Sequence, residues 1–238
     1  ATLHDRDRDG DLDLTGIDEG SDDIYVFDNI GPYNQVIYID HLESWNLVGL
    51  PLEVLNSNYQ EIFPDALNSS LYSFTENGTY ENETDLITGK GYWLRFPRDG
   101  SNHVIGLPFN ELTISIVSGW NLLSGISTEV SVLNIIDTEE LIVPGTMYGF
   151  NGNYIETETF TPGYGYWLRS YGDGEITISD TLPAGKVLNS PMLENPNTII
   201  IANRPLYFGE KISEDEKLSY SLPPKPPEGI DIRFSGDS

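Results

Sequence analysis

The residues best suited to chemistry in this chain stand together near its start: Asp5, Asp7, Asp9, Asp11 and Asp13, spaced around Gly10. Alternating carboxylates let one short backbone wrap a hard cation, with side-chain oxygens from Asp5, Asp7, Asp9 and Asp13 and the main-chain carbonyl of Asp11 as ligands. Gly10 supplies the sharp turn that such a loop needs. Without a cation, carboxylates about 4 Å apart would repel by roughly 4 kcal/mol per pair at an effective dielectric near 20, so the empty loop is expected to be loose. Ca²⁺ is therefore the expected cofactor, held with a Kd on the order of 10⁻⁴–10⁻³ M, as in extracellular modules. The pattern departs from an EF-hand, because the twelfth position counted from Asp5 is Gly16 and not a bidentate Glu.

The order Asp-x-Asp-x-Asp-Gly-x-x-Asp over residues 5–13 resembles the calcium loop of the FG-GAP/VCBS repeats of integrin-type β-propellers, in which the loop joins two strands. The resemblance implies that Asp5, Asp7, Asp9 and Asp13 are side-chain ligands and that a strand from Ile24 to Asn29 closes the repeat. A propeller needs several blades and one is visible, which implies a last blade or a free-standing remnant of a longer parent chain.

Other reactive groupings are scarce. The three histidines, His4, His41 and His103, are scattered, and none belongs to an HExxH pair or an obvious Ser-His-Asp set. The absence of Cys excludes a thiolate metal site, a cysteine nucleophile and a disulfide framework. Two carboxylates would suffice for a glycosidase, yet neither copy of the repeat in the middle of the chain carries a distinctive acid that the other lacks in a comparable place. A protein that is not an enzyme is expected.

Composition bounds what positions these residues. The 238 residues can form two or three small domains, each with its own core. Twelve Lys and Arg against 38 Asp and Glu give a formal charge of −26, which repels a phosphate backbone or an anionic membrane over most of the surface. Nucleic acid is not an expected partner, and divalent cations are the natural counter-charge. No run of about 18 apolar residues suggests membrane insertion; any secretion signal is expected to lie outside the sequence. With 23 Gly, 15 Pro and 14 Tyr among short Ile, Val, Thr and Leu runs, the chain reads as all-β with many turns.

The middle of the chain is written twice. Trp45-Asn46-Leu47 returns as Trp120-Asn121-Leu122, and Gly91-Tyr92-Trp93-Leu94-Arg95 as Gly165-Tyr166-Trp167-Leu168-Arg169, with spacings of 120 − 45 = 75 and 166 − 92 = 74. That period is too long for a stacked solenoid and indicates a duplicated domain. Gln35–Ile39, with Leu112–Ile116 as its expected counterpart in the second copy, alternates like a half-buried strand, as its counterpart does. Short helices are expected at about 52–63 and about 128–136, the second capped by Ser127 or Thr128. Asn77-Gly78 and Asn151-Gly152 predict tight hairpins. A strand at Val104-Ile105 or Ile176–Ile178 closes each copy.

A buried indole removes roughly 150–250 Å² from water, worth about 4–6 kcal/mol at 25 cal/mol per Å². Because Trp93 and Trp167 alternate with Leu and Arg, core or inter-sheet packing is expected for them. Exposed aromatics could instead stack on sugar rings, and Tyr80, Tyr154 and Tyr164 are the candidates for glycan contact. The Trp-Asn-Leu plus Gly-Tyr-Trp pattern over about 33–183 resembles duplicated modules in large secreted surface proteins of type IX secretion bacteria. This resemblance implies an extracellular, cell-surface location rather than an activity. Asn68, Asn77 and Asn82 begin N-glycosylation sequons that read more simply as turns, and Asp180-Thr181-Leu182 is similar to a bacterial O-glycosylation site.

Beyond Leu188 the composition shifts to strands at Thr198–Ile201 and Leu206–Phe208, then to the stiff, polyproline-like Leu222–Pro227. That run can be a recognition peptide for an aromatic groove, a rigid spacer or an ordered β-domain edge. Together with Asp231-Ile-Arg-Phe234 it resembles the C-terminal region of the same surface proteins, where a further β-domain and a sorting tail follow. Unpaired strands at such an end could be completed by a neighbouring subunit.

The expected architecture is thus all-β: an acidic calcium loop and strand over 1–32, tandem small β-sandwich or barrel domains over 33–108 and 109–183, each with one short helix, and a partial, Pro-rich β segment over 184–238. The expected function is a calcium-stabilised, non-enzymatic structural or adhesive segment of a cell-surface layer, fibre or adhesin that self-associates through open strand edges. The alternative is a polysaccharide-binding module.

Overall fold

The computed structural model describes residues 2–4, 12–18, 20, 23–27, 34–181, 196–201, 204–209 and 213–227. Over these residues the chain is all-β, with two short α-helices. At the start, β1 (Thr2–His4), β2 (Asp13–Asp18) and β3 (Asp23–Phe27) form an antiparallel sheet in chain order. His4 lies opposite Asp13 and Leu14 opposite Phe27, so the strands on either side of the acidic run are paired.

The first repeat comprises β4 (Gln35–His41), β5 (Ser44–Gly49), α1 (Tyr59–Ile62), β6 (Tyr72–Phe74), β7 (Tyr80–Asn82), β8 (Gly91–Phe96) and β9 (Gly100–Gly106). Its four-stranded sheet runs β5-β8-β6-β7, and the β4-β9 ribbon packs on one face of that sheet. In the second repeat, β10 (Glu111–Ile116), β11 (Gly119–Ser124), β12 (Val130–Ser131), β13 (Ile135–Ile136), β14 (Tyr148–Phe150), β15 (Tyr154–Glu156), β16 (Thr159–Phe160), β17 (Gly165–Ser170) and β18 (Gly174–Ser179) repeat the plan. Here the sheet runs β11-β17-β14-β15 and the covering layer β10-β18-β13, with a small β12-β16 pair beside them.

The Gly-Tyr-Trp-Leu-Arg strand shows why the sequence repeats. Successive strand side chains face opposite sides of a sheet. On β8, Tyr92, Leu94 and Phe96 enter the core beneath the ribbon, with Ile39, Leu50, Phe63, Leu71 and Val104. Trp93 points the other way, into a cluster shared with Leu122, Tyr154 and Trp167 of the sister repeat. Both faces are buried, so the strand loses the polar alternation of a half-exposed one. Trp93 and Trp167 are each fully buried, as expected from their spacing.

Asn46 and Asn121 do the same work in the two copies. Each Oδ1 accepts the N–H of the residue four earlier, Leu42 or Val117, at 2.9 Å. Each Nδ2 donates to the carbonyls of Leu42 and Ser44, or Val117 and Gly119. The Asn in Trp-Asn-Leu therefore staples the turn into its own strand.

Three expectations change. Gly100 faces His41 and Gly174 faces Ile116, so β4 and β10 correspond at 116 − 41 = 75; aligning Gln35 with Leu112 is two residues out of register. The first helix shrinks to the single turn Tyr59–Ile62, capped by the Asn58 side chain and ended at Phe63 before Pro64. The second shrinks to the 3₁₀ turn Val132–Asn134, capped by Ser131 instead of Ser127 or Thr128. Its flanking Val130 and Ile135 are taken into strand pairs with Phe160 and Ile178, where β-branched side chains pack better than in a helix. The two Asn-Gly hairpins form as expected, with Gly78 at φ 77° and Gly152 at φ 90°.

After the second repeat come the hairpin of β19 (Asn197–Ile201) and β20 (Arg204–Phe208), then α2 (Glu214–Leu218) with a Ser213–Glu216 capping box, then the Pro-rich segment.

Candidate functional site

The repeats meet through a self-complementary contact. Gly49 donates its N–H to the Gly163 carbonyl at 3.0 Å, and Ser124 donates to the Gly89 carbonyl at 2.9 Å. These bonds exchange roles under the repeat offset, as residues i and j do across a twofold dimer interface. Backbones come very close here: a Cβ on Gly91 would lie 2.5 Å from the Leu123 carbonyl oxygen, and one on Gly165 2.8 Å from that of Val48. That closeness accounts for the Gly preceding Tyr-Trp in both copies.

Rings fill the space between the sheets. Trp93 meets Phe150 edge-on, and Trp167 meets Phe74 likewise, each with centroids 4.8 Å apart. Within each copy Trp45 stands edge-on to Trp93 and Trp120 to Trp167. Arg95 and Arg169 lay their guanidinium groups over the outer indoles of Trp45 and Trp120 at 5.8 and 5.7 Å. Edge-to-face geometry sets the positive rim of one ring against the negative face of the next.

On this aromatic platform lies the Pro-rich segment. Tyr80 donates its hydroxyl proton to the Lys225 carbonyl at 2.8 Å, and Tyr154 donates to the neighbouring Pro224 carbonyl. Arg169 Nη1 donates to Ser221 Oγ at 2.8 Å. The Trp93 indole N–H donates to Tyr80 Oη at 3.3 Å, which ties the platform to the segment. Pro223 is buried and Lys225 exposed.

The three tyrosines proposed for glycan contact are therefore not exposed stacking surfaces. Tyr154 is buried, Tyr80 is half-buried, and both hydroxyls are engaged by the chain itself. Tyr164 is half-buried against the cores of both repeats; its hydroxyl donates to the Asp40 carbonyl at 3.1 Å and accepts the Asp40 N–H at 3.2 Å. Burial raises its pKa, as it raises that of Tyr166, and it pushes Tyr92 up to about 12, so these phenols stay neutral.

The twofold relation is broken where Tyr164 stands in one copy and Lys90 in the other. Under the repeat offset Tyr164 corresponds to Lys90 and Asp40 to Ser115, and this second pair does not close. Lys90 turns instead to Glu83 at 3.1 Å, whose carboxyl is held below its usual range by a hydrogen bond from Ser73 and by the Lys90 ammonium. A cleft of about 530 Å³ remains there, lined among others by Glu76, Glu81, Lys90, Ser115 and Trp120.

Asp5, Asp7, Asp9 and Asp11, the core of the expected calcium loop, lie outside the described residues, and Asp13 opens β2. Among the described residues no group of three His, Asp or Glu side chains is placed to hold an ion. The histidines stand apart: His4 and His103 are exposed, and His41 is buried with its ring stacked on Phe96, centroids 3.7 Å apart. The contacts of Arg169 with Ser221, 52 positions on, and the meeting of Lys90 with Ser115 and Trp120 across the cleft are not signalled by any local spacing in the sequence. No family, curated protein or solved structure matched in comparisons with known proteins.

Proposed function

We propose that this chain is a non-catalytic structural segment of a cell-surface layer, fibre or adhesin, secreted by a type IX secretion bacterium and stiffened by Ca²⁺ at Asp5, Asp7, Asp9, Asp11 and Asp13. One observation carries the reading: the aromatic residues of both repeats are spent on an internal twofold interface, which makes a rigid double unit. An arrangement of this kind supports a scaffold role better than a sugar-stacking one. Light scattering and electron microscopy of the chain at increasing concentration test it, and a strictly monomeric chain with no ordered assemblies would argue against a layer or fibre. For the metal, calorimetric titration of Ca²⁺ into the chain and into Asp9→Ala, with melting curves in chelator, is the direct measurement; equal heats and equal melting points would remove calcium from the account.

Polysaccharide binding is the second reading, and the cleft between the repeats is what favours it. Its mixed lining, with a half-exposed indole among carboxylates, hydroxyls and an ammonium, suits a polyhydroxylated ligand. A glycan array without hits would count strongly against it.

A further inference from the structure

Tyr80 and Tyr154 occupy equivalent places in the two repeats, 154 − 80 = 74, and converge on adjacent carbonyls of one segment. Proline carries no N–H and has a fixed φ, so the four prolines of Leu222-Pro-Pro-Lys-Pro-Pro227 offer carbonyl acceptors with few competing backbone donors, and the segment has little backbone freedom to lose on docking. Two phenol donors on an aromatic platform are the complementary set. Arg169 fixes the register by holding Ser221 at one end.

We propose that this platform is an exchangeable receptor and that, in the assembled state, a second copy of the chain supplies the occupant: residues 221–227 of one molecule seat on Tyr80, Tyr154 and Arg169 of the next. The proposal rests on the structural reading above and deepens it by naming the joint. The segment already seated shows that the chemistry fits, and the same hydrogen bonds form whichever molecule provides it, which makes such an exchange a low-cost route to association. Only Pro223 of the segment is buried, with Ser221, Leu222, Pro224, Pro226 and Pro227 half-buried and Lys225 exposed. From Thr181, the last described residue of the second repeat, to Ser221 is 221 − 181 = 40 positions. With the β19-β20 hairpin and α2 kept folded, the connecting residues still reach on the order of 70 Å, against a diameter on the order of 40 Å for a repeat pair of about 150 residues. Each molecule then gives one segment and receives one, which closes a reciprocal dimer or, head to tail, builds rings or open filaments. Lys225, exposed on the segment, also brings a cation to a neighbour that is strongly acidic.

The test uses two full-length variants. Tyr80→Phe with Tyr154→Phe keeps the rings and removes the donors; Pro223→Gly with Pro224→Gly keeps the chain and removes its stiffness. In sedimentation velocity, wild type should form concentration-dependent oligomers, each variant alone should stay monomeric, and an equimolar mixture should give one heterodimer, joined by the intact segment of the first and the intact platform of the second. Excess free peptide spanning residues 219–228 should dissolve the wild-type oligomers, a readout that holds even if one variant folds poorly. A mixture that stays monomeric, with wild-type oligomers untouched by the peptide, overturns the exchange. If both variants assemble like wild type, the joint lies elsewhere and the scaffold reading stands; if wild type itself never assembles, both fall.

Discussion

The indole of Trp93 meets the ring of Phe150 edge-on, centroids 4.8 Å apart and planes at 83°, across the junction of two repeats. Its mate, Trp167 on Phe74, has the same separation at 81°. Because the contacts are equivalent, truncating either should cost the same. Phe150→Ala and Phe74→Ala should each lose about 3 kcal/mol, toward the low end for Phe truncation because both rings are half-buried. Denaturant melts check this; the double variant should fall short of the summed losses, since both rings touch one cluster. A near-neutral result for either would mean that the repeats are not held by these rings.

Asn46→Ala and Asn121→Ala remove equivalent staples. Each releases a turn N–H and carbonyls that water can reach in part, at a cost of about 0.5–1.5 kcal/mol. Hydrogen exchange should accelerate selectively at the Leu42 amide in the first variant and at the Val117 amide in the second, because those protons are held by the Asn side chains. Uniform acceleration over the whole repeat would point to a global effect instead.

Much of this was legible in sequence, for physical reasons. The Trp-Asn-Leu and Gly-Tyr-Trp motifs mark positions where one side chain has a single geometric solution, so duplication preserved them visibly. Hairpin glycines at φ 77° and 90° are local requirements, readable from two residues. What could not be read depends on distance: Tyr80 and the carbonyl it holds are 145 positions apart, and nothing in the spacing of the tyrosines separates a glycan platform from a peptide platform. The helices were overestimated because Val130 and Ile135 find sheet partners, a tertiary preference that local periodicity does not encode. The register of β4 was misjudged where the copies diverge, at His41 and Ile116.

The divergence at His41 predicts a pH effect. The residue is 4 % exposed, and burial lowers its pKa from the ordinary 6.5, against the pull of the Asp65 and Asp40 carboxylates. The unfolded chain therefore binds a proton more readily than the folded one, so the stabilising contribution is complete above about pH 6.5 and is lost as pH falls through the lowered folded-state value. His41→Leu, which brings the site closer to the Ile116 environment, should flatten the dependence of Tm on pH between about 5 and 7 while leaving the Tm at pH 8 within a few degrees. An unchanged slope would assign the pH dependence to other groups.

Tyr164 and Lys90 give the sharpest comparison, because one structural position has been filled in two ways. Tyr164→Phe deletes a hydroxyl that both donates to and accepts from the Asp40 backbone. The Asp40 peptide group is exposed and water takes over its bonds, so the loss should be about 0.5–1.5 kcal/mol, with the joint next to Asp40 loosened, visible as faster exchange of its amide. The converse change, Lys90→Tyr, removes the Glu83 ion pair and places a phenol beside Ser115. A part-exposed pair of this kind contributes about 0–1 kcal/mol, so the variant should stay close to wild type in stability while the cleft of about 530 Å³ narrows. If the cleft takes a polysaccharide, Lys90→Tyr abolishes binding and Tyr164→Phe does not, whereas a glycan that binds both variants equally must use a different face. Titrating any array hit into the two proteins by calorimetry separates these outcomes, since the variants act on opposite sides of the same twofold relation.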